Sequence, residues 1–307
     1  MKARGPANGA AIVMAMLFAA LAAIIGATLL WQQQRWIGEH ERRRDQVQAQ
    51  ALAMAGVQWA RQIVFDNAPA SIVHLAQPWA FRLPATPIEN GSIGGYITDA
   101  QAGLNVNNLA LGGAATNASH DALQRLFGAL GVPAGLLNAL TDWVDTDDRV
   151  TEGGGAEDAY YLAQNVPRLA ANAPLRRTSE LLGVRSADAT LVWRLLPFVD
   201  ALDAPTALNV NTAPPEVLMA AIGGLDATSA AALVAARATT PFASVSDFRN
   251  RLPGSALVDE SILTVKSDWF VVSIEARQGD TIARARALLK RSTAGAQWPA
   301  VVWQTVE

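Results

Sequence analysis

The chain has 307 residues, of which 51% are hydrophobic and only 17% are charged, and its formal net charge is −3. Its apolar content suffices for one large domain or roughly two to three small ones, which excludes a largely disordered chain. The absence of cysteine excludes disulfide bonds, thiol catalysis and thiolate metal sites. The slight negative charge argues against nucleic-acid binding, which usually involves a basic face.

The N-terminal region predicts a membrane-spanning helix. Residues 10–31 are almost wholly apolar, and no charged residue occurs between Arg4 and Arg35. At a rise of about 1.5 Å per residue, this run is long enough for the roughly 30 Å hydrocarbon core of a bilayer. Lys2 and Arg4 precede it and favour a cytoplasmic N-terminus. A cleaved secretory signal is the alternative, but its apolar region is usually only about 7–15 residues long.

Helical spacing continues beyond the apolar run. Apolar residues recur there at intervals of three to four and predict one apolar stripe on a polar helix. The residues of this stripe are Leu52, Ala55, Trp59 and Ile63. A single helix from Ala10 to about Phe65 would be on the order of 80 Å long. Its first half would cross the membrane, and its second half would pack on a globular domain as a stalk.

The apolar run follows a short basic leader that ends at Gly9. This arrangement resembles the type IV prepilin class of signal, in which a membrane peptidase cuts after the glycine on the cytoplasmic face. The resemblance implies cleavage between Gly9 and Ala10. Gly5 is a competing position, but Pro6 would follow the cut bond and obstruct cleavage. Most members carry glutamate at the fifth mature position, where this chain has Met14, and a subunit without that glutamate suits the tip of a fibre.

Two similar sequences predict two related helical subdomains. Residues 104–108 read LNVNN and residues 208–212 read LNVNT, and a helical pattern follows each copy. A strand over residues 94–99 precedes the first copy. The copies are too far apart for a solenoid repeat.

A helix pair is predicted after the second copy. Thr212 is expected to cap a first helix over residues 217–222, a glycine turn follows, and Asp226 starts a second helix that runs to about Arg237. Such a pair resembles a helix-hairpin-helix unit, which in many proteins grips a DNA phosphate. A small helical packing module is the alternative, and the acidic chain with Asp226 at the hairpin favours it.

The C-terminal region predicts an antiparallel hairpin. Apolar residues alternate in 261–291, with Phe270, Val272 and Ile274 on one face and a turn at residues 278–280. This apolar face is expected to cover the stripe of the long helix. The predicted fold class is therefore α+β, with helical subdomains inserted between early and late strands.

One segment is dense in acidic residues. Seven carboxylates lie in residues 142–158 against the single Arg149: Asp142, Asp145, Asp147, Asp148, Glu152, Glu157 and Asp158. Carboxylates this dense repel each other unless a cation lies among them. A glycine-rich loop can surround Ca²⁺, which takes about six to eight oxygen ligands. The spacing does not fit an EF-hand, and a solvated acidic loop is the alternative.

Catalytic signals are weak. His40, His74 and His120 are scattered, and the sequence contains no HExxH, GxSxG or Walker motif. An enzyme is therefore not predicted, although a Ser/His/Asp site formed only in the fold is left open.

Further short motifs follow a characteristic order. They are GYITD (95–99) before LNVN (104–107), WVDTD (143–147) before GAEDAYY (155–161), ANAPL (171–175) with EL (180–181), LPF (196–198) and NVNTA (209–213). Together with the leader, this ordered set resembles the minor pseudopilin K family of the type II secretion system, over nearly the whole chain.

The resemblance implies a pseudopilin fold with a long N-terminal transmembrane and stalk helix, a small antiparallel sheet and a large inserted α-helical domain with helix-hairpin-helix or SAM-like subdomains. Residues 1–9 would be the leader and 10–31 the transmembrane segment. Residues 32–99 and 260–307 would form the stalk and sheet, 100–204 the first helical subdomain with the acidic loop, and 205–259 the second.

The resemblance also implies a function. The protein would be a non-enzymatic subunit that caps the tip of the pseudopilus and is needed to export folded periplasmic proteins across the outer membrane. Its implied partners are minor pseudopilins I and J, then H and the major pseudopilin, and the prepilin peptidase, with no nucleic acid. It would cross the inner membrane once, with a cytoplasmic N-terminus and a periplasmic C-terminal domain.

Family members bind calcium in the acidic region of the inserted domain. The matching positions here are Asp145, Asp147, Glu157 and Asp158, and Asp148 and Glu152 are further candidates. Three alternatives to the tip subunit stay open: a tip subunit of a type IV pilus, a membrane-anchored DNA receptor that uses the helix-hairpin-helix units, and a signal-anchored periplasmic enzyme.

Overall fold

The computed structural model describes residues 8–67, 72–110, 114–254, 256–292 and 297–307. The helices are α1 Asn8–Asp66, α2 Ala114–Ala129, α3 Ala134–Val144, α4 Asp158–Leu162, α5 Ala189–Leu195, α6 Pro215–Ala221, α7 Ala227–Thr239 and α8 Val245–Asn250. The strands are β1 Leu83–Ile88, β2 Gly91–Asp99, β3 Leu104–Asn105, β4 Val199–Asp200, β5 Leu208–Asn209, β6 Leu263–Thr264, β7 Trp269–Gln278, β8 Thr281–Lys290 and β9 Ala300–Val306.

The single long N-terminal helix is confirmed. The 59 residues of α1 correspond to a length of about 88 Å. Its N-terminal half is apolar and long enough to cross a membrane, and none of its most apolar stretch is buried in the protein. Large side chains such as Phe18 and Leu30 are about two-thirds exposed. Residues 1–7 of the predicted leader lie outside the described residues, as do the side chains of Gly9 and Ala10, whose backbone belongs to α1.

The predicted stripe on α1 lies only partly on the face that packs. Leu52 and Ile63 are partly buried against the core under the sheet, whereas Trp59 is 51% exposed and Ala55 is exposed. The face that packs on the sheet carries Ala49, Ala53, Val57, Ala60 and Val64. A methyl group added at Gly56 would come within 2.8 Å of Ile274 Cγ2. The sheet therefore approaches the face of α1 that has the smallest side chains, because these permit the closest packing.

The predicted hairpin is confirmed as the centre of a five-stranded sheet. The strand order is β1-β2-β7-β8-β9, and every neighbouring pair is antiparallel. Gly279 in the β7–β8 turn has φ +54°, which favours glycine. The inward residues predicted for β7 lie in the core against α1, together with alanines from β8.

Residues between β2 and β7 form a mainly helical domain with its own core, in which α2 packs against α3 and α6. The two similar sequences have the same structural role. The Asn107 amide exchanges two hydrogen bonds with the backbone of Leu175, with donor–acceptor distances of 2.8 Å and 2.8 Å. The Asn211 amide does the same with Phe242, at 2.9 and 2.8 Å. Each copy thereby ties a distant loop to a short strand.

The predicted helix pair is present as α6 and α7, and Asp226 caps α7 by accepting from the backbone N–H of Ser229 at 2.7 Å. The prediction for Thr212 is wrong, because Pro214 precedes α6 and the Thr212 hydroxyl instead donates to Asp99 at 2.6 Å. Asp99 is buried and accepts hydrogen bonds from neighbouring side chains, since a buried carboxylate without partners would destabilise the fold.

The structure also shifts the boundary placed at residue 260. Strand β6 pairs in parallel with β5, and Ile262, Leu263 and Val265 belong to the core of the helical domain. The sheet resumes only at Trp269, where β7 begins. The reason is that the second similar sequence needs β6 as its strand partner.

Candidate metal centre in the inserted domain

The acidic loop connects α3 to α4, and α3 sets its geometry. The last turn of α3 is buried at Asp142, Trp143 and Val144. Asp145 is the C-cap residue, and its backbone N–H donates to the carbonyl of Thr141 at 3.0 Å. The helix end therefore directs Asp145 into the loop that follows.

Three of the predicted ligands come together in the fold. Carboxylate oxygens of Asp145, Asp147 and Glu157 all lie within 4.8 Å of one another. Within the described ranges, this is the one group of three or more histidine or acidic side chains close enough to hold a metal ion. Glu157 is 4% exposed, Asp145 is half-buried and Asp147 is exposed. Glu157 thus lies on the buried side of the cluster, and Asp147 lies on the side that is open to solvent.

The cluster has unsatisfied acceptors. Oδ1 of Asp145 and both Oε atoms of Glu157 are buried without a hydrogen-bond partner among the described residues. No ion pair in the described part of the chain involves these residues. Buried carboxylate oxygens normally have partners, so a cation would supply what the protein does not.

The electrostatics point the same way. Burial, followed by the charges of Asp147 and Asp142, raises the pKa of Asp145 to about 6. Burial, followed by the charges of Asp142 and Asp145, raises the pKa of Glu157 to about 7. Both shifts report that the fully ionised cluster is unfavourable without a counter-ion.

Sequence reasoning left Asp142 out of the predicted site. Asp142 is completely buried, and its two carboxylate oxygens each accept from the Thr151 backbone N–H at 3.1 Å. A methyl group added at Gly155 would collide with the Asp142 carboxylate and the Thr151 backbone. Asp142 thus holds the loop in place and adds charge. The available signal was its position three residues before Asp145, on the same face of α3.

The other three predicted ligands lie outside the cluster. Asp148 accepts from the Asn172 side chain at 3.3 Å, and Asp158 accepts from the backbone N–H of Ala170 at 2.8 Å. Glu152 is exposed, and its backbone carbonyl accepts from Asn138 at 2.9 Å. These contacts shape the loop rather than converge on one point.

The chain matches two family models that are both described as "Type II secretion system (T2SS), protein K". The first matches residues 102–204 and the second residues 208–273. Together they cover most of the inserted domain.

Curated relatives and a solved structure agree. Type II secretion system protein K of Klebsiella pneumoniae is 32% identical over 303 residues, which are 92% of each chain. The protein of the same name from Pseudomonas aeruginosa is 32% identical over 289 residues, 89% of this chain and 85% of the relative. A chain of the GspK–GspI–GspJ crystal structure from enterotoxigenic Escherichia coli is 28% identical, with a TM-score of 0.73, and the match covers 88% of this chain and 99% of that one. The chain therefore belongs to the type II secretion system protein K family and is a minor pseudopilin with the expected fold.

Proposed function

We propose that this minor pseudopilin occupies the tip of the pseudopilus and ends the fibre there. The supporting observation is the place of the inserted domain along α1. Gly279, in the β7–β8 turn, lies next to Asp45, whereas Ile274 lies next to Gly56. Strand β7 therefore runs backwards along α1, and its first residue, Trp269, lies towards the C-terminal end of the helix. The inserted domain joins the sheet at that end, far from the apolar segment.

The proposed mechanism is steric. The inserted domain extends from the end of the stalk that faces away from the membrane, where a further subunit would have to stack. Met14 replaces the fifth-position glutamate that in most members pairs with the subunit ahead. The apolar half of α1 would thread the core of the fibre below, where its exposed side chains find apolar neighbours. No catalytic step is part of this role.

The proposed partners follow from the solved relative, which is a complex of GspK with GspI and GspJ. We expect this chain to bind minor pseudopilins I and J, followed by H and the major pseudopilin. The proposal places α1 in the inner membrane with a cytoplasmic N-terminus and a periplasmic C-terminal domain. A prepilin peptidase would cut between Gly9 and Ala10.

We also propose that the acidic cluster binds Ca²⁺. Asp145, Asp147 and Glu157 would hold the ion, because their carboxylates converge and three of their oxygens have no partner within the described residues. Hard carboxylate oxygens suit a hard cation. The bound ion would offset the repulsion among the carboxylates and fix the loop between α3 and α4, which no disulfide can do in a chain without cysteine.

The first experiment measures the intact mass and N-terminus of the membrane-extracted protein, made with and without its prepilin peptidase. A chain that begins at Ala10 only when the peptidase is present would support the processing step. The second co-expresses the processed chain with pseudopilins I and J and analyses the detergent extract by size exclusion. A stable ternary complex supports the tip assignment. A chain that still begins at Met1, or that elutes without I and J, contradicts it.

A further inference from the structure

A groove of about 820 Å³ lies between the outer face of the sheet and the inserted domain, on the side of the sheet opposite to α1. Five arginines line it, although the chain as a whole has a net charge of −3. They are Arg82 before β1, Arg177 of the inserted domain, Arg277 of β7, and Arg284 and Arg286 of β8. Both parts of the protein thus contribute positive charge to one groove, here called the arginine groove.

These arginines have few counter-charges. Arg284 pairs with Glu275 at 3.0 Å, and none of the other four has a carboxylate within 4.0 Å in the described part of the chain. Glu307 also lines the groove. Asp200 lies close enough to Arg286 for that charge to lower its pKa, but burial outweighs this and raises the pKa to about 8, so Asp200 is mostly uncharged near pH 7. Two carboxylates in the lining against five guanidinium groups leave a positive surface that favours an anionic ligand.

Aromatic rings hold several of the guanidinium groups in position. Arg82 lies over Tyr96 at 4.5 Å, and Arg177 and Arg286 lie over Trp303 at 5.2 and 6.0 Å. Such stacking keeps the planar guanidinium groups oriented, so less conformational entropy is lost when they bind carboxylates bidentately. Arg177 and Arg286 share the single ring of Trp303, so two positive charges lie close together and their repulsion favours an anion beside them.

The position of the groove argues against a lipid headgroup. Ile274 lines the groove and lies beside Gly56 of α1, about 38 Å along the helix from the end of the apolar run at Trp31. That distance greatly exceeds the roughly 8 Å over which surface charge acts at physiological ionic strength. The net charge of −3 on the whole chain disfavours nucleic acid, whose affinity depends mainly on a long-range positive field that a single groove does not supply.

We propose that the arginine groove binds an extended, acidic segment of another protein. The groove crosses the sheet from β1 to β9, which at about 4.8 Å per strand is about 19 Å, the length of roughly six extended residues. Carboxylates along that segment would pair with Arg177 and Arg286 at the β8–β9 end of the groove. The proposal concerns the folded domain alone and does not depend on where the subunit sits in the fibre.

The test uses the full chain in neutral detergent and a fluorescein-labelled peptide of alternating glutamate and serine, with binding measured by anisotropy. The wild type should bind this peptide saturably and should not bind a matched lysine–serine peptide. Arg177→Gln/Arg286→Gln should weaken binding at least ~10-fold, because two charge-assisted contacts are lost. The control Arg42→Gln/Arg249→Gln changes the net charge equally at exposed sites outside the groove and should bind like the wild type.

A second variant covers the case in which the double substitution disturbs folding. Ser179→Glu keeps every arginine and adds a carboxylate at the groove wall, so it should also weaken peptide binding. The proposal is overturned if the wild type does not bind the acidic peptide, or if the groove and control variants bind equally. It is also overturned if a short DNA duplex binds at the same arginines and the peptide cannot displace it.

Discussion

Neutralising Glu157 should stabilise the protein without calcium and abolish the response to calcium. Its carboxyl group is 4% exposed, neither oxygen has a hydrogen-bond partner among the described residues, and Asp145 and Asp147 lie beside it. At a pH above both the unfolded and the folded pKa of Glu157, the wild type keeps this carboxylate ionised, although burial and the neighbouring carboxylates disfavour its charge. Glu157→Gln removes that charge and one of the proposed calcium ligands together.

The size of the effect follows from the pKa, which burial and the neighbouring carboxylates raise from 4.5 to about 7. A raised pKa means that the folded protein binds the proton more tightly than the unfolded chain does. The Glu157 carboxyl group therefore lowers the free energy of unfolding progressively as the pH rises from its pKa in the unfolded chain through its pKa in the folded protein. At about 1.36 kcal/mol per pKa unit, the substitution should gain up to about 3 kcal/mol at pH 8 without calcium. This corresponds to roughly 6–12 °C in Tm for a domain of this size.

Calcium should affect only one of the two proteins. At a free concentration of about 100 times Kd, it would stabilise the wild type by about 2.7 kcal/mol and leave Glu157→Gln unchanged. Calorimetry of the metal-stripped full chain in detergent, with EGTA or with Ca²⁺, measures both effects. The control is Asp121→Asn, an exposed carboxylate on α2 outside the cluster. The reasoning is refuted if Glu157→Gln is less stable than the wild type in EGTA, or if it retains the calcium-induced shift.

Three further substitutions test the packing around the site and the stalk. Gly155→Ala should abolish the calcium-induced rise in Tm, because its methyl group would displace the Asp142 carboxylate and the Thr151 backbone that hold the loop in place. Gly128→Ala, whose methyl group meets nothing within 4 Å, should keep the rise. Asn211→Ala removes two buried hydrogen bonds and should lower the free energy of unfolding by about 2–4 kcal/mol. A urea titration measures this, and a loss below about 1 kcal/mol would contradict the prediction. Gly56→Ala should destabilise the stalk by about 1–2 kcal/mol, because the added methyl group has no room against Ile274. Gly38→Ala should not, because Gly38 has open space around it. Equal melting temperatures of the two variants would exclude close packing at residue 56.

Strong local patterns predicted the main elements of the fold. The apolar run and the helical spacing that follows it predicted α1, and alternation with a tight turn predicted the β7–β8 hairpin. Both patterns can be read from residues close together in the chain, because the helical and strand periods relate residues only a few positions apart. The stripe on α1 was partly misplaced because large residues such as Trp59 were taken as the packing face. The sheet instead selects the small residues around Gly56.

The composition of the acidic segment likewise indicated a cation site, but it did not identify the ligand set. Asp145, Asp147 and Glu157 converge because α3 ends where it does and because Asp142 holds the loop through Thr151. Asp158 and Glu152 are equally acidic in sequence, yet backbone contacts turn them elsewhere in the loop. Charge density is a property of the segment, whereas convergence is a property of the fold.

The sequence by itself thus determined the long N-terminal helix with its apolar half, the class of fold and the family, since these follow from periodicity and from ordered local motifs. Only the tertiary structure decided which face of α1 meets the sheet, which carboxylates converge, and that five arginines line one groove. Arg177 belongs to the inserted domain and Arg286 to β8, more than a hundred residues later. Such groups become neighbours only when the chain packs, because no local pattern in the sequence encodes a distance between separate elements.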